Sequence, residues 1–306
     1  MIQVLTKNII LSSVIAMLTA CGGGSSSPDM AVVMTEEGGN DLDRVLISDI
    51  DYGKTVHNTL DIYQPSGTCE SNRVTVFFVH GGGFRSGDKV GGAVTERARA
   101  SNDKGFNFVS INYRLEGDDP ILSSEFQAIH DELVTQDPPN DPENKNAEIA
   151  ALEDSADALN FLVSHQDEYC LDMARLAFWG SSAGATNILS LAYSMDQFGI
   201  SRPEPDVVIN YWGDLRRDDD MDVMEAPFLT IHGDEDPTID YQVAIDLTDR
   251  GTAIGVPFTF YTDVGGGHNV NTMQTVNGVT LIDLTVDFIE AHVIDGLPLY
   301  EIADVD

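Results

Sequence analysis

The chain has 306 residues, 42% of them hydrophobic, which is enough to bury a sizeable core and too apolar for a disordered polymer. It carries 51 Asp plus Glu against 16 Lys plus Arg, a formal charge of −35. Such a surface repels phosphate backbones and anionic headgroups, so nucleic acid is excluded as an expected partner.

Lys7 is the sole charge among the first twenty residues, followed by the apolar segment IILSSVIAML and then LTAC, which ends at Cys21. Residues 1–20 read as an export signal, because the apolar stretch is shorter than the about 20 residues of a membrane span. LTAC resembles a bacterial lipobox. That resemblance implies that Cys21 is lipidated and begins the mature chain, and that Gly22, in place of Asp, favours the outer membrane. Lipidated Cys21 is then the only expected membrane contact. GGGSSSPDM reads as part of a flexible tether over 21–40, with one folded domain expected over 41–306. Export also places the chain in an oxidising compartment.

Beyond Asp41, VLISDIDYG and TLDIYQP read as an antiparallel strand pair. Buried strands are then expected at 74–79, 106–112, 175–179, 206–212, 226–231 and 257–261, each bounded by Gly, Pro or Asp. Helical spacing lies between them at 92–103, 147–166, 183–196, 239–251 and 277–293; Ile149, Leu152, Ala156, Leu159 and Val163 share one face of the second. This alternation predicts an α/β fold with a mostly parallel sheet covered on both faces. The least regular part is 116–146, where EGDDP and DPPNDPENKN bracket a short helix around Ser123 to Val134. An irregular insertion of that length is usually functional or mobile. There is no internal repeat and no second linker.

Two patterns carry chemistry. GSSAG, with Ser182 at its centre, directly follows a predicted strand and precedes an apolar helix, the context that lifts a serine hydroxyl above a sheet. FFVHGGGFRSGDK puts three glycines after another strand, costly in backbone entropy unless the backbone must approach something closely. An oxyanion held by amides of this loop and of Ala183 fits that need.

With LDIYQP, HGGGF, INYRL, GSSAGA and HGDEDP in order, the chain from about Leu60 resembles the α/β-hydrolase esterases carrying HGGG and GxSxG, related to hormone-sensitive lipase and to bifunctional feruloyl and acetyl-xylan esterases. The resemblance implies a nucleophile at Ser182, oxyanion donors at Gly82, Gly83 and Ala183, and supporting roles for His80 and Arg114. In this fold the order is serine, acid, histidine. Of the three histidines after Ser182, His232 precedes its acid candidates and His292 sits on the last helix, which leaves His268 in DVGGGHNV. HGDEDP resembles the family's HGxxD and selects Asp236 as the acid, with Asp234 as the alternative.

The implied function is hydrolysis of short-chain carboxylic esters, on a small molecule or a polysaccharide, with neither metal nor organic cofactor. Ser181 before the nucleophile, where lipase relatives carry an acid, brings the chain nearer the feruloyl and acetyl-xylan side. Only 53 residues separate Ser182 from Asp236, little room for a large lid. Small-amide or peptide hydrolysis and a non-catalytic binding role are the alternatives. The fold also places the strand before HGGG beside the strand before GxSxG, which implies a disulfide between Cys69 and Cys170. The acidic runs RRDDDMD and DEDP do not fit the spacing of a calcium loop and read as solvated surface.

Overall fold

The computed structural model describes residues 32–34, 44–136, 140–297 and 300–306. The expected signal peptide over 1–20, the lipidation site Cys21 and most of the tether over 21–40 lie outside the described residues. The three described residues inside the expected tether form a strand, β1 (Val32–Met34), antiparallel to β2 (Arg44–Asp51).

Seven further strands follow: β3 (Thr59–Gln64), β4 (Arg73–Val79), β5 (Asn107–Ile111), β6 (Leu171–Ser181), β7 (Val207–Tyr211), β8 (Phe228–Gly233) and β9 (Phe258–Asp263). A hairpin of β10 (Thr275–Val276) and β11 (Val279–Thr280) and a C-terminal β12 (Ile302–Asp304) complete the set. Ten of them form one sheet in the order β1-β2-β3-β5-β4-β6-β7-β8-β9-β12. The contacts β1/β2, β2/β3 and β3/β5 are antiparallel and the rest parallel. Six α-helices are described: α1 (Gly92–Asp103), α2 (Ser124–Gln136), α3 (Pro142–Ser164), α4 (Ala183–Tyr193), α5 (Gln242–Ile254) and α6 (Leu281–Glu290).

Period-two alternation divides the core into two layers. Phe77, Val79 and Phe178 point into one with residues of α3, α4 and α5, while Phe78, Trp179 and Ile209 point into the other with α1 and α6. Each large side chain so buried stabilises the fold by roughly 1.5–3 kcal/mol before entropy is subtracted. Arg202 closes the C-terminal end of α4 from inside, donating through Nε to Leu191 O and at 2.8 Å through Nη2 to Ala192 O.

Several boundaries depart from the sequence expectation, among them those of two helices, and one strand is added. Helix α3 begins at Pro142, inside the stretch expected to be irregular, because Asp141 caps it by accepting from Asn144 N at 3.1 Å and Pro142 occupies its first turn. The last helix begins at Leu281 and not at 277. Asn277 and Gly278 both take positive φ, 53° and 80°, and turn the chain through the β10–β11 hairpin before Thr280 caps α6. Strand β12, unanticipated, lies parallel to β9 with Ile302 opposite Phe260.

Register then decides where function sits. Val79 pairs with Gly180, so β4 and β6 end side by side; β8 and β9 end beside each other with Gly233 opposite Asp263. The loops after these four strands therefore converge at the carboxyl end of the sheet, the usual ligand face of a parallel sheet.

Candidate active site

Ser182 stands at the sharp turn from β6 into α4 with φ 54° and ψ −125°, a conformation that a non-glycine residue holds only when its surroundings enforce it. Its N–H donates to Tyr211 O at 2.8 Å and its C=O accepts from Thr186 N at 3.0 Å. The glycines two residues to either side allow the turn. A Cβ on Gly184 would stand 2.1 Å from Val79 O, and one on Gly180 would stand 2.4 Å from Gly184 O. Strand, turn and helix are packed backbone against backbone.

Ser182 Oγ–H donates to His268 Nε2 at 2.8 Å, and His268 Nδ1–H donates to Asp236 Oδ2 at 2.7 Å. Asp236 can only accept, which assigns the imidazole proton to Nδ1 and leaves Nε2 free to take the serine proton. The Asp236 side chain is fully buried and that of His268 is 14% exposed. Burial works against the aspartate's charge. The His268 hydrogen bond and the amides of Thr238 and Ile239, at 2.7 and 3.1 Å, outweigh it and hold the carboxyl below its ordinary range.

Asp234, the alternative acid, does not reach His268. It latches the histidine loop instead, accepting from Gly265 N at 2.6 Å while its own amide donates to Asp263 O at 3.2 Å. His232 lies behind the acid, its Nε2 donating to Ile239 O at 3.0 Å and lying 3.3 Å from Asp236 Oδ2. Its fully buried ring is pushed toward the neutral form by desolvation.

The HGGG loop comes within contact of the serine: a Cβ on Gly81 would meet Ser182 Cβ at 3.0 Å. Gly82, at φ 123°, accepts from both Arg85 N and Ser86 N at 3.1 Å, and Gly83 O accepts from Asn144 Nδ2 at 2.8 Å. Carbonyls so engaged fix the peptide planes of the loop. Ala183 is the first residue of α4, where an amide has no acceptor within the helix. His80 stacks on Tyr113 with ring centroids 4.4 Å apart, and its carbonyl accepts from Tyr113 Oη–H at 2.9 Å. Arg114 acts at one remove, bound to Asp154, Glu153 and Ile121 O, and so anchors the start of the 116–146 segment against α3. That segment in turn braces the glycine loop through Glu116, which pairs with Arg85 at 2.9 Å and accepts from Asn144 at 3.0 Å.

Ser182 and His268 open on a cleft of about 700 Å³. Its walls include side chains that the sequence did not single out, chiefly Trp212, Arg97, Val270 and Thr272. Trp212 had the appearance of the last residue of a buried strand, yet at φ 46° it turns out of the sheet and sets its ring edge-on to His268, centroids 6.4 Å apart.

This architecture is the α/β-hydrolase fold. Residues 60–130 match the family model described as BD-FAE. Among solved structures, a truncated carbohydrate esterase from gut microbiota is 15% identical with TM-score 0.62, over 83% of this chain and 98% of that one. A bifunctional GH43-CE protein of Bacteroides eggerthii is 19% identical at 0.62, over 84% of this chain and 39% of that one. Esterase 2 of Thermogutta terrifontis is 14% identical at 0.55, over 85% and 93%. No curated protein matches the sequence. Esterase-type α/β-hydrolases are thus what the chain resembles.

Proposed function

We propose that the chain is a serine carboxylesterase that cleaves short acyl groups from a small-molecule or polysaccharide-linked alcohol. The observation that carries this reading is the unbroken relay from Ser182 Oγ through His268 to buried Asp236, at 2.8 and 2.7 Å. A binding protein on this frame has no need of it.

His268 Nε2 takes the serine proton as Oγ attacks the ester carbonyl. The negative oxygen so formed meets the amides of Gly82, Gly83 and Ala183, each donor supplying ~10²–10³ in rate. Collapse breaks the ester C–O bond, and His268 returns the proton to the departing alcohol. Water then repeats the sequence on the acyl-Ser182 ester and frees the acid. Asp236 stays ionised throughout and balances the imidazolium. The likeness to carbohydrate esterases supports a sugar-linked alcohol as substrate. Lipidation of Cys21 and outer-membrane anchoring belong to the same proposal, resting on LTAC alone; loss of palmitate labelling on Cys21→Ser tests them.

The test is hydrolysis of 4-nitrophenyl acetate, butyrate and decanoate by the chain beginning after Cys21, beside Ser182→Ala. Turnover is expected to favour the two short esters and to vanish in the variant. Equal rates in wild type and variant on every ester overturn the assignment.

A further inference from the structure

The only Lys or Arg among the described residues lining the cleft is Arg97. It rises from the second turn of α1, is 4% exposed, and lies 5.3 to 5.8 Å from the ring centroids of Phe78, Trp179 and Tyr211. Its hydrogen-bond partners are neutral: Nη1 donates to Ala93 O at 2.8 Å, Nη2 to Ser181 Oγ at 3.3 Å, and Nε has none. Of the nearby carboxylates, Glu96 favours the Arg97 cation through space, but neither it nor Asp88 is hydrogen-bonded to the guanidinium. Asp88 Oδ1, in the cleft wall, accepts from Val90 N at 3.0 Å, and Glu96 Oε1 accepts from Thr272 Oγ1 at 2.6 Å. A guanidinium buried among aromatic rings ordinarily has an anion beside it, because burial of an uncompensated charge is costly.

The same wall contains the start of α1. Gly91, Gly92, Ala93 and Val94 line the cleft; no side chain caps this helix, and its first turn holds no acidic residue. Its unpaired amides and the positive end of its dipole are therefore left for a ligand. A twelve-residue helix aimed at the serine cleft and a buried arginine beneath it favour the same charge.

We propose that this wall is an anion subsite, and that the ester cleaved at Ser182 carries a carboxylate held between Arg97 and the first turn of α1, as an acidic sugar or an acidic acyl group would. Because Nη2 reaches Ser181, the neighbour of the nucleophile, the carboxylate stands close to the scissile bond. The subsite also gives an anionic substrate a local attraction within a chain whose overall charge is −35. It rests on the esterase reading above and narrows its substrate class.

Two ester pairs that differ in charge separate the sources of that carboxylate. In 4-acetoxybenzoate against 4-acetoxybenzamide the charge is on the alcohol side; in the 4-nitrophenyl half-ester of adipate against its methyl ester it is on the acyl side. The readout is the anion-to-neutral ratio of kcat/KM in one buffer, where the long-range field affects wild type and variant alike. Arg97→Gln is expected to lower that ratio at least about tenfold in one pair, with Arg97→Lys between. Equal ratios in wild type and Arg97→Gln for both pairs overturn the proposal. If Arg97→Gln does not fold, wild type decides alone. Benzoate should then inhibit neutral-ester hydrolysis competitively, at least about tenfold more tightly than benzamide; equal inhibition overturns the subsite. If wild type hydrolyses neither the neutral nor the anionic esters, the esterase reading fails by itself, and calorimetric binding of benzoate against benzamide to Ser182→Ala still tests the subsite.

Discussion

Asp236 is the residue on which charge, burial and geometry meet. Its carboxyl is held below the ordinary range against the cost of burial, so it remains ionised well below neutral pH, and what depends on its charge is lost only in acid. The sign for stability is the same. A depressed carboxyl stabilises the fold above its unfolded pKa, and that contribution is lost as pH falls through the folded value. Asp236→Asn keeps the volume and removes the acceptor that selects the imidazole tautomer. Its kcat is expected to fall about 10⁴-fold, read by steady-state kinetics beside an unchanged circular dichroism spectrum. A loss under tenfold would show that His268 is oriented by other groups. At this scale the three residues that meet were legible because Ser182 and Asp236 sit in recognisable motifs and chain order leaves His268 as the remaining histidine. Arg97 and Trp212 were not, because one read as a polar helix position and the other as a strand end. Only the crossing of α1 over the aromatic side chains of β4, β6 and β7 makes a cleft wall of them.

At the scale of elements, the parallel strands and their helices were readable from apolar runs, and the misplaced boundaries had local signals that were overridden. Asn277–Gly278 is a hairpin turn in its own right but was absorbed into the apolar spacing that continues through α6. Asp141–Pro142 is a helix start that the surrounding prolines disguised as loop. Burial in the connection between β7 and β8 cannot be read from sequence, and there it changes the chemistry. Desolvation, with Asp196 and Asp222 nearby, pushes Glu225 up to about 7 against the pull of the Asp222 amide. Desolvation and three neighbouring aspartates push Asp218 up to about 6. A raised carboxyl binds its proton more tightly folded than unfolded, so both groups weaken the fold as pH climbs from about 4 to 7. Glu225→Gln should accordingly raise Tm at pH 8 and leave it nearly unchanged at pH 5. An equal rise at both pH values would assign the effect to packing.

Across the whole molecule, the disulfide and the site mark opposite ends of the same two strands. Cys69 and Cys170 are joined with Cα atoms 5.9 Å apart, just ahead of β4 and β6, whereas the glycine loop and Ser182 follow those strands. The pairing was legible once the strand neighbours were known. The bridge closes a sequence separation of 101, for which chain entropy gives at most about 4–5 kcal/mol. Cys69→Ser with Cys170→Ser should therefore lower the denaturant midpoint by a matching amount while kcat/KM on a short ester holds. A collapse of turnover in the folded double variant would mean that strain travels the length of the strands. Strand β12 has a plainer consequence. By pairing with β9 it covers a row of backbone donors and acceptors that would otherwise face solvent beside Phe258 and Phe260. Without its last five residues the chain would present an open sheet edge with an apolar flank, a template for a second copy, so solubility rests partly on a tail that never approaches the chemistry.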